Sequence, residues 1–218
     1  MIGYDADCGQ GDMRKVRDHY YHRAKRENYP ARSVYKLEEA QKKHRFLRQG
    51  QKVLDLGCHP GSWCLYAAGI VGDGGLVVGA DLTATNLARR KGHAEIIWLC
   101  YDVNRDDFID LLRTKWGVFH VVLSDMAPRT IGNRFVDHQR SLVLARRAFA
   151  VCRRVLRSGG TFYCKIFDGE DLMEYKGELK PYFQSVKVVK PPSSRRESRE
   201  VFLLGSRFRP QGGKTQQG

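Results

Sequence analysis

The stretch Val53-Leu54-Asp55-Leu56-Gly57-Cys58-His59-Pro60-Gly61-Ser62-Trp63 decides how the rest of the chain is read. Its apolar start suits a buried strand, its two glycines suit a tight turn, and Trp63-Cys64-Leu65-Tyr66-Ala67-Ala68 resumes as a helix. Gly57 and Gly61 carry no Cβ and can take φ > 0. At the carboxyl edge of a parallel sheet, such a turn lets backbone approach a nucleotide closely. The spacing is Gly-x-x-x-Gly, not the Gly-x-Gly-x-x-Gly of dinucleotide binders, whose helix N-terminus faces a pyrophosphate. It suits a nucleoside without phosphates, S-adenosylmethionine foremost. Alone, the motif is equally compatible with an ordinary glycine-bearing strand-to-helix turn.

Strands and helices alternate outward from it. Strands are expected over 52–56, 76–80, 94–100, 118–123, 161–167, 182–189 and 200–205. Helices are expected over 62–71, over 86–90 as a short polar turn, along the segment carrying Ala145, Ala148, Phe149, Cys152 and Leu156, and near 170–180. A further helix after Ser33, its expected N-cap, carries Val34, Leu37 and Ala40 on one face and precedes the first strand. Ser158-Gly159-Gly160 reads as the C-cap of the long helix, and 129–138 as a polar, mobile lip of the site.

Several expected strands end on an acid. Asp81 at the tip of the second strand has the position of a ribose-hydroxyl acceptor, Asp102 that of an acceptor for an adenine amino group, and Asp125 faces the same crevice as the glycine turn. Asp81 and Asp102 could equally be N-caps, and Asp125 could accept from nearby backbone. Lys165 interrupts an apolar strand, where an unpaired lysine is costly to bury unless it sits on an edge and reaches solvent.

The 218 residues fit one domain with a full core, and no apolar run approaches the ~20 residues of a membrane span. No secretory signal opens the chain, so a soluble, cytoplasmic protein is expected. Six cysteines sit singly, without zinc-ligand spacing, so no metal is expected. The formal net charge of +14 points to a polyanionic partner, nucleic acid above all. Residues 1–28 read as a basic, partly flexible segment, in which Arg14, Lys15, Arg17 and Arg23 among Tyr20 and Tyr21 could hold phosphates and stack on bases, or form a solvated tail. Lys190 to Arg199 forms a second basic loop, and 209–218 reads as a disordered tail. Arg146, Arg147, Arg153 and Arg154 read as a solvated helix face.

Motifs spread over 29–208 resemble the FtsJ-type ribose 2'-O-methyltransferases: Ala31-Arg32-Ser33-Val34-Tyr35-Lys36-Leu37, Asp55 through Trp63, Ser124-Asp125-Met126-Ala127-Pro128, Cys164-Lys165, and Ser193-Ser194-Arg195 through Ser198-Arg199-Glu200-Val201. The resemblance implies a Rossmann-like class I methyltransferase fold, a mostly parallel seven-stranded sheet with helices on both faces. It also implies an S-adenosylmethionine cofactor, a catalytic tetrad of Lys36, Asp125, Lys165 and Glu200, and cofactor contacts at Gly57, Gly61, Trp63, Asp81, Asp102 and Asp125. The chain departs from the bacterial ribosomal pattern at Cys58-His59, where two small residues are usual, and at Ser62, where glycine is frequent.

The implied activity is methyl transfer to a ribose 2'-hydroxyl of RNA, most directly large-subunit ribosomal RNA of the 23S type, free or in a ribosomal subunit, by a monomer. Transfer RNA and the messenger RNA cap are alternative substrates. A non-catalytic RNA-binding module on the same fold, or an enzyme acting on a small molecule, are the competing classes. Lys165 is the expected base. A nearby Lys36 and a sulfonium would favour its neutral form, while Asp125 and Glu200 would favour the charged one, so geometry decides the balance.

Overall fold

The computed structural model describes residues 19–194 and 197–210. Arg14, Lys15 and Arg17, most of the expected tail, and Arg195 and Arg196 lie outside the described residues. The described chain begins in a helix (α1, residues 19–26), followed by α2 (Val34–His44), β1 (Lys52–Leu56), α3 (Ser62–Val71), β2 (Leu76–Asp81) and β3 (Glu95–Cys100). Then come α4 (Phe108–Trp116), β4 (Phe119–Ser124), α5 (Arg134–Val155), β5 (Leu156–Phe167), α6 (Leu172–Leu179), β6 (Phe183–Val189) and β7 (Glu200–Phe208).

The seven strands form one sheet in the order β3-β2-β1-β4-β5-β7-β6. Neighbours from β3 through β5 run parallel, and β7 lies antiparallel between β5 and β6. The first crossover from β1 leads to β2 on one side, and β4 adds on the other. The strand order therefore reverses at the carboxyl ends of β1 and β4, where an open α/β sheet leaves a crevice.

The strands' period of two sorts side chains between two apolar cores. Leu54, Leu56, Val122, Phe162, Cys164 and Ile166 face α4, α5 and α6. Val53, Val121, Leu123, Tyr163 and Phe202 face α2 and α3, with Trp63 stacked on Tyr163 at 5.7 Å between ring centroids. By the same alternation Asp55, Asp125, Lys165 and Glu200 belong to the α2–α3 face. One parity rule thus brings polar residues from four strands to the side that carries Lys36.

Several local expectations are corrected. Residues 84–90 form no helix: Thr85 and Leu87 instead sit within van der Waals reach of Gly61, while Arg89 bonds Asp73 and the His93 carbonyl. Helix α4 was not anticipated. Its buried Phe108 and Leu112, four residues apart, and Gly117 at φ +73° are the signals that identify it. Helix α5 ends at Val155, before the expected glycine cap, because Leu156 is already extended and bridges to Phe119; Gly159 sits inside β5 at φ +76°. Ser33 holds the N-cap position of α2 but is in the αR region, without a side-chain capping bond. The expected lip is partly helical and is held in place: Ile131 and Gly132 donate backbone N–H groups to the buried Asp137 carboxylate, and Asn133 caps α5 by accepting from the Val136 N–H.

Candidate active site

Strand β1 ends in the glycine turn, where Gly57 takes φ +76° and Gly61, the N-cap of α3, takes φ +105°. A Cβ on Gly57 would lie 2.6 Å from Met126 Cγ and 3.1 Å from the Met126 backbone. Only glycine lets the two strand ends approach this closely. The turn, the tips of β2 and β3 and the segment after β4 enclose a cleft of about 380 Å³, lined in part by Gly57, His59, Asp81, Asp102, Asp125 and Met126.

Asp81 accepts from the His59 N–H at 3.0 Å and the Thr83 N–H at 2.8 Å, so it shapes the turn while lining the cleft. Asp102 accepts from Asn104 through Oδ1 alone, and its Oδ2 has no partner among the described residues. The departures at Cys58-His59 are accommodated in opposite directions. Cys58 is buried against β2, within contact distance of Gly79, and the exposed His59 ring reaches Thr85 Oγ1 at 3.1 Å. Gly61 and Trp63 lie outside the cleft lining. A Cβ at Gly61 would meet Leu87 and Trp98, while the Trp63 indole, 3% exposed, donates to the Ser33 carbonyl at 2.9 Å. Leu82, Tyr101 and Leu144 also line the cleft but were not anticipated. The first two adjoin the strand-tip acids, which is the signal that finds them.

On the α2 side of the crevice four charged side chains converge. Lys165 Nζ donates to the Asp125 carbonyl at 2.6 Å and lies 3.0 Å from Asp125 Oδ1 and 3.9 Å from Glu200 Oε1. Lys36 Nζ donates to the other Glu200 oxygen, Oε2, at 2.7 Å. Both lysines are buried, 8% and 6% exposed, so each cation needs these partners. Burial alone would raise the Glu200 pKa, but the charge and hydrogen bond of Lys36, then the charge of Lys165, outweigh it and hold Glu200 below its ordinary value. Lys165 is therefore a paired cation between two carboxylates, not an edge lysine reaching solvent. A second opening of about 390 Å³ adjoins the tetrad, lined by Arg32, Ser33, Lys36, Glu197, Ser198 and Glu200.

Beneath the turn lies an acid that sequence reading did not single out. Asp55 is fully buried, accepts from the Cys64 thiol at 3.2 Å, and leaves Oδ1 without a partner. Burial pushes its carboxyl up to about 7, against the Cys64 hydrogen bond and with help from the Asp125 and Asp81 charges.

The expected RNA contacts near the N-terminus are partly engaged elsewhere. Tyr20 donates to Glu39 and packs on Tyr35, and Arg23 pairs with Glu27 and Glu38 over the Tyr35 ring. Tyr21 stays 49% exposed. In the second basic loop, Lys190 donates to the Ser198 carbonyl and Arg199 to the Arg134 and Asp168 carbonyls. Arg146 and Arg147 are not simply solvated, because they bond Glu178 and the Val103 carbonyl respectively. Among the described residues no cluster of three potential metal ligands occurs, and no helix is long and apolar enough to cross a membrane.

The family model described as FtsJ-like methyltransferase matches residues 29–208. A protein of Desulfotalea psychrophila named ribosomal RNA large subunit methyltransferase E is 46% identical over 197 residues, covering 90% of this chain and 98% of its own length. One of the same name from Brachyspira hyodysenteriae is 43% identical with the same coverage. A crystal structure from Plasmodium falciparum, described as a ribosomal RNA methyltransferase, superposes with a TM-score of 0.70 at 26% identity, over 84% of this chain and 100% of that one.

Proposed function

The chain belongs to the FtsJ-like methyltransferase family, and on that premise we propose that it transfers a methyl group from S-adenosylmethionine to a ribose 2'-hydroxyl of large-subunit ribosomal RNA in the cytoplasm. The observation that carries this reading is the convergence of Lys36, Asp125, Lys165 and Glu200 beside a cleft at the strand-order switch point.

The donor set fits the cofactor. The cleft's size is within the ~300–1,000 Å³ of small-molecule sites. Asp102 Oδ2 offers an open acceptor for an amino group, Asp81 stands at a strand tip where ribose hydroxyls bind in such folds, and Gly57 leaves backbone room between β1 and Met126. Gly61 and Trp63 support the turn from behind. When bound, S-adenosylmethionine supplies an electrophilic methyl group on a sulfonium.

The chain's own part is positioning and proton transfer. Asp125 belongs both to the cleft and to the tetrad, so it couples the two reactants' places. Lys36 fixes one oxygen of Glu200 and leaves the other directed to Lys165, which fixes the Lys165 ammonium position. Lys165 steers the 2'-hydroxyl oxygen through its ammonium and, once that ammonium has released a proton to solvent, takes the hydroxyl proton at Nζ as the oxygen attacks. Alignment accounts for most of the acceleration and general-base assistance for about 10²–10⁴-fold. RNA follows from the acceptor itself, since DNA has no 2'-hydroxyl.

The test is transfer of labelled methyl from S-adenosylmethionine to isolated large subunits and to protein-free ribosomal RNA, followed by nucleotide analysis. Labelled 2'-O-methyl ribose is the expected result. Cofactor binding without labelling of either substrate would favour the non-catalytic RNA-binding reading.

A further inference from the structure

Between the end of β4 and the first turn of α5, the chain spends buried polar groups on presenting apolar ones. Asp137, 7% exposed, accepts from the Ile131 N–H at 2.9 Å and the Gly132 N–H at 3.2 Å, and Asn133 caps the helix. The residues held in this way, Ile131 and Phe135, are each 61% exposed. An exposed phenylalanine on an ordered turn, packed into neither core, is positioned for something outside the chain.

The turn adjoins the tetrad. The Arg134 carbonyl accepts from Arg199 at 2.8 Å, Arg199 immediately precedes Glu200, and Asp168 bonds the Arg199 carbonyl at 2.7 Å beyond Lys165 on β5. The surroundings are basic. Arg129, Arg134 and Arg140 are exposed, and among the described residues no hydrogen bond or ion pair engages the Arg129 or Arg134 guanidinium. Exposed arginines flanking an exposed ring along one ordered segment are the arrangement that holds single-stranded nucleic acid, cations on phosphates and ring on base.

We propose that Phe135, flanked by Ile131, is a stacking platform for an unpaired nucleobase next to the nucleotide that is methylated, with Arg129 and Arg134 on the adjoining phosphates. The occupant is a base of the RNA substrate rather than a protein, because exposed arginines flank the ring along the chain on both sides. The proposal rests on the RNA-methyltransferase reading. It gives this turn a specificity role: it favours acceptor sites with an unstacked neighbour and disfavours continuous duplex.

The experiment measures affinity for a single-stranded RNA oligomer and, separately, kcat and KM for methylation of large subunits. It uses the wild type and the Phe135→Ala, Phe135→Leu and Phe135→Trp variants. Phe135 is exposed and outside both cores, so the thermal midpoint is expected to stay unchanged. Stacking predicts about a tenfold loss of RNA affinity and a matching rise in KM for Phe135→Ala, with kcat retained. It also predicts the same loss for Phe135→Leu, full rescue by Phe135→Trp, and quenching of the added indole fluorescence by RNA. Unchanged affinity in Phe135→Ala would overturn the platform, as would full rescue by Phe135→Leu, which would identify an apolar contact without ring stacking instead. If the wild type methylates nothing but Phe135→Ala still loses RNA, the platform stands and the enzymatic reading falls. If the wild type methylates and Phe135→Ala behaves identically, the reverse holds.

Discussion

Asp55 and Glu200 lie on the same face of the sheet and are treated oppositely by their surroundings. Glu200 sits between two buried lysines and is held ionised by them. Asp55, below the glycine turn, has a thiol as its side-chain donor, two carboxylates as its charged neighbours, and one oxygen unpartnered. The tetrad is thus an electrostatically closed unit, whose charges are paired before any substrate arrives. The turn is an electrostatically open one, in which an acid gains no countercharge from the chain. Pairing preorganises groups that must hold and move a proton, whereas the buried, unpaired Asp55 answers its missing countercharge by keeping its proton.

The largest effect is expected at the closed unit. Lys165→Ala should lower kcat by about 10²–10⁴-fold, with S-adenosylmethionine affinity little changed, as read by single-turnover transfer and calorimetry. A variant that stays folded and turns over normally would remove Lys165 from the chemistry.

Next comes the open unit's dependence on pH. In the unfolded chain Asp55 ionises near about 3.9, whereas folded Asp55 keeps its proton until about 7. The folded state binds the extra proton between those values, so the contribution of Asp55 to stability falls as pH rises through that window and is level above it. Asp55→Asn should abolish that decline, a difference on the order of 4 kcal/mol by pH 8 relative to pH 4. Urea denaturation of both proteins across pH 4–8 measures it, and parallel curves would show that Asp55 is not the buried, uncompensated acid described.

A smaller loss is expected at the turn itself. Gly57→Ala requires φ +76° of an L-residue and puts a Cβ 2.6 Å from Met126 Cγ, which should cost about 2–4 kcal/mol. Because the clash is with a residue lining the cleft, cofactor affinity should fall as well; retained affinity with lost stability would separate the turn from the cleft.

The smallest effect tests Trp63. Trp63→Phe keeps an aromatic ring against Tyr163 and removes the bond to the Ser33 carbonyl. The expected result is about 1 kcal/mol less stability with KM for S-adenosylmethionine unchanged. A raised cofactor KM at full stability would instead give Trp63 a direct place in the cleft.

The glycine turn, the strand-tip acids Asp81, Asp102 and Asp125, and the succession of strands along the chain were legible in the sequence, because each is encoded by adjacent residues. An apolar run can be read as a strand, and a glycine at its end as a turn that needs positive φ. The same local reading misplaced a helix at 86–90. The polar pattern there could not reveal that Thr85 and Leu87 are drawn onto Gly61. It also passed over α4, whose short apolar face of Phe108 and Leu112 gains its meaning from packing.

By itself the sequence determined which residue types were available to the site and on which face of its strand each would lie, since period-two alternation is a property of the backbone. Tertiary structure alone decided that Lys36 and Glu200, 164 positions apart, meet at 2.7 Å. It alone decided that Arg23 and Tyr20 turn inward to α2, and that Asp55 is left without a cation. The physical reason is that charge pairing falls off over a few ångströms in space and is indifferent to separation along the chain.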